Sequence, residues 1–213
     1  MKREIDLRGL FYRQIFKYRR NFNIKVINPL VRLKLFTHGV ELGVNTRFLG
    51  FPMISREPNS VIAFGNNCEF NSSRHSVKIG LFRPCSFATI RKGARIVFGD
   101  NVGGTGSTIV AALSVTIGNH VMIGANCTII DTDFHNTDPS ERITENIAAK
   151  PVVIEDNVFL GFNCFILKGV TIGKNAVIGA NSVVISNIPP NSIAMGNPCK
   201  VIIQRSWSPS ENS

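Results

Sequence analysis

His135 lies in the run Asp131-Thr132-Asp133-Phe134-His135-Asn136-Thr137-Asp138, with three carboxylates within four residues of its imidazole. A carboxylate beside a histidine fixes the ring's tautomer and raises its basicity, which is what a general base requires. The same spacing also suits a loop histidine that only caps a turn, so spacing alone leaves both roles open. A catalytic or structural zinc would need three or four converging ligands. His75, His120 and His135 are far apart and form no H-x-x-H or H-x-x-x-H pair, so no metal is expected. His120, beside Asn119, is expected to point outward.

The element that must position His135 announces itself by period. Ile154, Leu160, Ile166, Ile172, Ile178 and Val184 recur every six residues, and Gly161, Gly173 and Gly179 follow three of them. Ile117-Gly118, Ile123-Gly124 and Ile129 keep the same step upstream. A six-residue beat predicts a mainly β fold, a parallel β-helix of short strands stacked coil upon coil. The beat breaks at 131–150, a polar and aperiodic loop that protrudes from the scaffold, where function concentrates. Leu42-Gly43, Phe64-Gly65, Ile79-Gly80 and Phe98-Gly99 read as the same step with irregular spacing. Asn187-Ile188-Pro189-Pro190 ends the repeat, because proline cannot donate to a ladder. The chain therefore divides into a basic N-terminal cap (1–40), the β-helix (41–190) and a C-terminal tail (191–213).

Composition agrees with a folded chain, at 44% hydrophobic and 18% charged residues. Fifteen phenylalanines against one Trp and two Tyr predict rings stacked in a narrow core. The net charge of +10 is uneven: residues 1–34 hold ten Lys and Arg against Glu4 and Asp6. Leu7, Leu10, Phe11, Ile15 and Tyr18 fall at helical spacing between those cations. A basic amphipathic cap of this kind suits either a solvated helical face or peripheral contact with an anionic membrane surface through residues 1–34. No aromatic-basic recognition motif accompanies the charge, so nucleic acid is not an expected partner. Cys68, Cys85, Cys127, Cys164 and Cys199 form no CxxC pair, and the odd count argues for free thiols in a reducing compartment. No apolar run reaches the roughly 20 residues of a membrane span. The expected location is cytoplasmic.

Two stretches, VGGTGSTIVAALSVTIGNHVMIGANCTIIDTDFH (102–135) and VVIEDNVFLGFNCFILKGVTIGKNAVIGANSVVISNIPPNSIAMGNPCKVI from Val152, resemble the hexapeptide-repeat acyltransferases. They are similar to sugar O-acetyltransferases related to the maltose and galactoside enzymes. The D-T-D-F-H and V-G-G-T-G-S-T elements resemble the branch that decorates capsule, exopolysaccharide or O-antigen sugars. The resemblance implies a left-handed coil, an exception to the right-handed crossover rule. It also implies a homotrimer with acetyl-CoA as co-substrate in the groove between subunits. By the same resemblance His135 is the general base for a sugar hydroxyl that attacks the thioester directly in a ternary complex. Asp133 would orient His135, and a coil N–H such as that of Gly161 would face the oxyanion.

For acetyl-CoA the resemblance implies contacts along Gly161, Phe162, Gly179 and Ala180, with Lys200 at the nucleotide phosphates. Where the family has Thr-Lys this chain has Ile185-Ser186, and Arg205 is expected to supply the missing cation. The acceptor-binding Asn and Asp of the galactoside enzymes are absent, their region reading Gly104-Thr105-Gly106-Ser107 and Ala111-Ala112. A simple galactoside or maltose is therefore not the expected acceptor. Competing readings are N-acetylation of a nucleotide-linked amino sugar, a γ-type carbonic anhydrase, and a non-catalytic β-helix scaffold. The second would need three zinc histidines, and the third would be favoured by a buried His135.

Overall fold

Short apolar strands alternate with corners built on asparagine and glycine, and this alternation rolls the chain into a three-sided coil. The computed structural model describes residues 6–75, 77–136, 138–142 and 147–204. Two sheets of six strands and one of eight form the sides. The first sheet runs from Glu41–Leu42 to Thr171–Ile172, the second from Arg47–Leu49 to Lys200–Gln204, and the third from Met53–Arg56 to Val183–Val184. Each circuit lays one strand in each sheet. Thus Ser114–Ile117, Met122–Ile123 and Thr128–Ile130 pair in parallel with Val152–Ile154, Phe159–Leu160 and Phe165–Ile166 of the next circuit.

Parallel register stacks like on like. Ile117, Ile154 and Ile172 lie directly above one another and are all buried, which is why the six-residue beat survives in the sequence. Corners turn through left-handed backbone at Asn45, Asn67, Asn101, Asn157, Asn175 and Asn191, a conformation asparagine tolerates better than most side chains. His120 takes the same corner conformation, with φ of 56°, and is exposed, in line with the outward position expected for it.

The phenylalanines divide differently from the expectation. Phe48, Phe64, Phe70, Phe87 and Phe98 form one buried ring stack in the early circuits, with Phe64 and Phe98 parallel at 4.6 Å. Eight others, from Phe11 to Phe165, are exposed. Later circuits are filled by Ile, Leu, Val and Cys instead.

Helix α1 (Leu7–Phe22) and helix α2 (Asn28–Thr37) precede the coil. Pro29 does not break them apart, because it sits in the first turn of α2, where its missing N–H costs nothing. A π-turn at Asn23–Ile27 joins the two. α2 seals the open end of the coil with buried Val31 and Leu35. Its Asn28 Oδ1 also accepts the Phe48 N–H at 2.8 Å. At the other end the prolines stop the first sheet only. Ser192–Met195 adds a further parallel strand to the second sheet, and Lys200–Gln204 folds back on it antiparallel.

Two inserts leave the coil, not one. Besides the segment after Ile130, residues 72–85 separate the strands Glu69–Asn71 and Ser86–Thr89. Ile79-Gly80 lies in that insert with both residues exposed, so it is not the coil step its sequence imitates.

Candidate active site

The 131–150 insert is held at its base by a fully buried carboxylate. Asp131 has 0% exposure, and its two oxygens accept the N–H groups of Ala112 and Leu113 at 2.6 and 2.7 Å. The Lys150 N–H closes the neck on the Asp131 carbonyl at 2.9 Å, and Thr132 bridges Ala149. From two circuits below, the Arg91 guanidinium holds the Ile147 carbonyl at 2.8 Å. Asp138 caps the short turn Pro139–Glu141, accepting the N–H and hydroxyl of Ser140, and these bonds hold its carboxyl below the usual carboxylate range.

His135 is exposed on this clamped insert, so its imidazole is open to a ligand. The expectation that Asp133 orients it is corrected by the geometry. Asp133 forms an ion pair with Lys168 instead, which ties the insert to the following circuit. Lys168 wins because it emerges beside Asp133 after the third-sheet strand Phe165–Ile166, and its ammonium takes both carboxylate oxygens. Among the described residues no hydrogen bond reaches the His135 ring. All three acids that flank the histidine in sequence thus have structural partners.

The expected acetyl-CoA residues gather at one corner, between the second and third sheets. Gly161 and Ala180 stack on successive circuits so closely that a Cβ on Gly161 would lie 2.6 Å from the Ala180 nitrogen. Only glycine permits that approach. Gly179 sits against Met195, and Lys200 pairs with Met195 one strand further on, exposed. The line Phe162, Ala180, Lys200 therefore climbs one edge of the coil. Arg205 lies outside the described residues.

The Gly161 N–H is not available to an oxyanion, since it donates to the Ile178 carbonyl at 2.8 Å as part of the ladder. The neighbouring N–H groups of Phe162 and Ala180 have no acceptor among the described residues. Those two are the accessible open donors at this corner, since the Ala125 N–H one circuit below, also without an acceptor among the described residues, belongs to a buried residue. Behind them Cys127 and Cys164 stack inward, their thiols donating to the Gly161 and Gly179 carbonyls at 3.1 and 3.2 Å. The hydrogen bond with the Cys164 thiol, and then burial, push the Cys127 thiol up, so it stays a neutral packing group. All five cysteines are buried and free.

Sequence reasoning missed the second insert. Phe82 and Arg83 of 72–85 reach the same corner, where the Phe82 ring meets Phe162 edge to face at 5.9 Å. The signal available was the 14 residues of broken beat between Asn71 and Ser86, masked by Ile79-Gly80. His75 lies at the far side of that insert, lining a 370 Å³ cleft with Tyr18, Arg19 and Phe22. Among the described residues no three His, Cys, Asp or Glu side chains converge on one point.

The coil pattern has a known counterpart. Residues 114–130 and 151–186 match the model of the hexapeptide repeat of succinyl-transferase. Over those two stretches the chain carries the hexapeptide repeat. A galactoside O-acetyltransferase of Lactococcus lactis is 48% identical over 94 residues, covering 44% of this chain and 45% of that protein. The hexapeptide-repeat chain thus spans less than half the length of this curated relative. Among solved structures, an acetyltransferase of Vibrio cholerae complexed with acetyl coenzyme A aligns over 93% of this chain and 90% of its own. The TM-score is 0.56 and the identity 21%. A variant of an N-acyltransferase of Bacillus cereus, in complex with dTDP-4-amino-4,6-dideoxyglucose and coenzyme A, aligns over 83% and 89%. Its TM-score is 0.64 at 16% identity. At these identities the two structures speak for the fold, and the architecture of this hexapeptide-repeat chain is the left-handed parallel β-helix.

Proposed function

We propose that this chain is an acetyl-CoA-dependent O-acetyltransferase acting on a sugar hydroxyl of a surface-polysaccharide precursor. The observation that carries the reading is His135, exposed on an insert clamped by buried Asp131, at the opposite edge of the third sheet from a corner with open N–H donors. A strand of three residues spans about 10 Å. Closing that gap calls for a neighbouring copy, and this supports a homotrimer in which one copy's His135 meets another's corner.

In this reading the His135 imidazole takes the proton of the acceptor hydroxyl as that oxygen attacks the acetyl carbonyl. The open N–H of Phe162 or Ala180 receives the developing oxyanion, in the place first expected for Gly161. The carbon–sulfur bond then breaks, and the imidazolium returns its proton to the departing thiolate. General-base assistance is worth on the order of 10²–10⁴-fold. Lys200, exposed at the top of the corner, supplies a cation for the nucleotide phosphates. Similarity to the L. lactis enzyme supports a sugar acceptor, and the fold shared with the V. cholerae acetyltransferase supports acetyl-CoA as donor.

The N-terminal helices suit the same reading. α1 buries no residue, and Leu7, Phe11 and Tyr18 are 73, 69 and 71% exposed on one side of it. Arg8, Arg13, Lys17 and Arg19 flank that stripe, a pattern that fits an anionic membrane surface carrying lipid-linked glycans.

The test is thiol release from acetyl-CoA across a panel of free, nucleotide-linked and lipid-linked sugars, amino sugars included. Turnover that falls at least a hundredfold in His135→Ala, with acetyl-CoA still bound, is the expected result. Turnover indifferent to His135 would refute the base, and transfer only to amines would replace the O-acetyl reading with N-acetylation.

A further inference from the structure

The second insert does more than pack. We infer that Phe82 and Phe162 form the stop against which the acyl group of the donor ends, confining the enzyme to short acyl chains. The inference rests on the acetyltransferase reading above and adds to it the acyl specificity of the donor.

Segment 80–83 is built into the corner and does not hang over it. The side chain of Asn126, buried at a corner with φ of 64°, faces the insert with both of its polar atoms. Its Oδ1 accepts the Phe82 N–H at 3.0 Å, and its Nδ2 donates to the Gly80 carbonyl at 2.9 Å. On one side of Phe82, Leu81 is buried against Gly106, so closely that a Cβ there would sit 2.4 Å from its methyl. On the other, the Arg83 guanidinium donates to the Thr128 hydroxyl at 2.6 Å. Phe82 itself is 62% exposed. A large residue whose main chain and both neighbours are fixed by distant parts of the coil, yet whose ring is left open on its face, is placed for something outside the core.

Its position along the coil says what that is. Phe82 is anchored on the circuit of Asn126, Phe162 lies on the next, Ala180 on the one after, and the Met195–Lys200 hairpin caps them. Three rungs separate the level of Phe162 from that of Lys200, and at about 4.8 Å per rung that is roughly 14 Å. With phosphates at Lys200 and the open N–H groups of Ala180 and Phe162 along the way, the donor's thioester end points at Phe82. The two rings, 82° apart and 5.9 Å between centres, close the line there. An acetyl methyl can rest on a ring edge, whereas each further methylene must push aside a ring whose main chain is anchored to Asn126 and whose edge-to-face partner is Phe162. In apolar pockets one methylene is worth about 10–200-fold in discrimination.

The experiment is titration of the full chain with coenzyme A, acetyl-CoA, butyryl-CoA and hexanoyl-CoA, read by calorimetry, which needs no acceptor. In the unaltered chain hexanoyl-CoA should bind at least tenfold more weakly than acetyl-CoA. In Phe82→Ala and Phe162→Ala the ratio of the two Kd values should fall below threefold. Phe36→Ala, an exposed phenylalanine of helix α2 at the other end of the coil, should keep the original ratio. Equal binding of acetyl-CoA and hexanoyl-CoA by the unaltered chain, or a ratio unmoved in both ring variants, would overturn the stop while leaving acetyl transfer standing. No binding of coenzyme A itself would overturn the transferase reading and the stop with it.

Discussion

Asp131 and Asp133 differ by two positions and carry the same charge, so they make a matched pair of perturbations. Asp131→Ala removes the acceptor of two main-chain donors, the Ala112 and Leu113 N–H groups. Hydrogen bonds to a charged group are worth about 1.5–3 kcal/mol each. Ala112 is 1% exposed, so its N–H finds no water and its bond is lost in full. Leu113 is 43% exposed, so its N–H recovers much of the loss from solvent. The expected destabilisation is therefore about 2–4 kcal/mol. Asp133→Ala breaks only the Lys168 pair, whose side chains are 32 and 27% exposed. For such a pair screening leaves about 0–1 kcal/mol.

Urea unfolding of the full chain, followed by circular dichroism at several protein concentrations to separate assembly from folding, reads both. With the slope unchanged, the Asp131→Ala midpoint should move well below that of Asp133→Ala. Hydrogen exchange at Ala112 should also accelerate in the first variant and not in the second. Equal midpoints, or an Asp131→Ala cost under about 1 kcal/mol, would refute the idea that a buried carboxylate clamps the insert. If His135 is the base, the same clamp predicts that Asp131→Ala loses turnover while still binding acetyl-CoA, because the corner lies on the other edge of the sheet.

Phe64→Ala should cost about 3–5 kcal/mol in the same urea assay, since Phe64 touches four other rings of the early stack and no smaller side chain fills the space. A loss under about 1 kcal/mol would mean that the stack collapses around the gap. The full chain should float with vesicles containing anionic phosphatidylglycerol and not with purely zwitterionic ones, and Leu7→Ser with Phe11→Ser should reduce the floating fraction severalfold. Flotation indifferent to lipid charge or to those substitutions would refute membrane contact by α1.

The repeat was legible because it is local. Parallel stacking in register puts each inward residue on a copy of itself six residues or a whole circuit away, so Ile154, Ile172 and their kin carry the architecture in their own spacing. The amphipathic α1 was legible for a similar reason, since a helical period needs no partner to be seen. His135 stood out because a polar break in an apolar beat is itself a sequence signal. Its neighbours were another matter. Nothing in Asp-Thr-Asp-Phe-His says that Asp131 turns inward to main chain one circuit below while Asp133 turns outward to a lysine one circuit above. Those partners lie 19 and 35 residues away, and only the closed length of the coil brings them within reach. The same holds for Gly161, whose N–H is taken by a carbonyl that the register supplies. It holds also for Ile79-Gly80, which copies the coil step in sequence yet lies in an insert fixed by Asn126. The sequence by itself determined the periodic scaffold and the place where it opens. Which donors and acceptors remain open there was decided by tertiary register, because a hydrogen bond is spent or left unspent only once its neighbour in space is known.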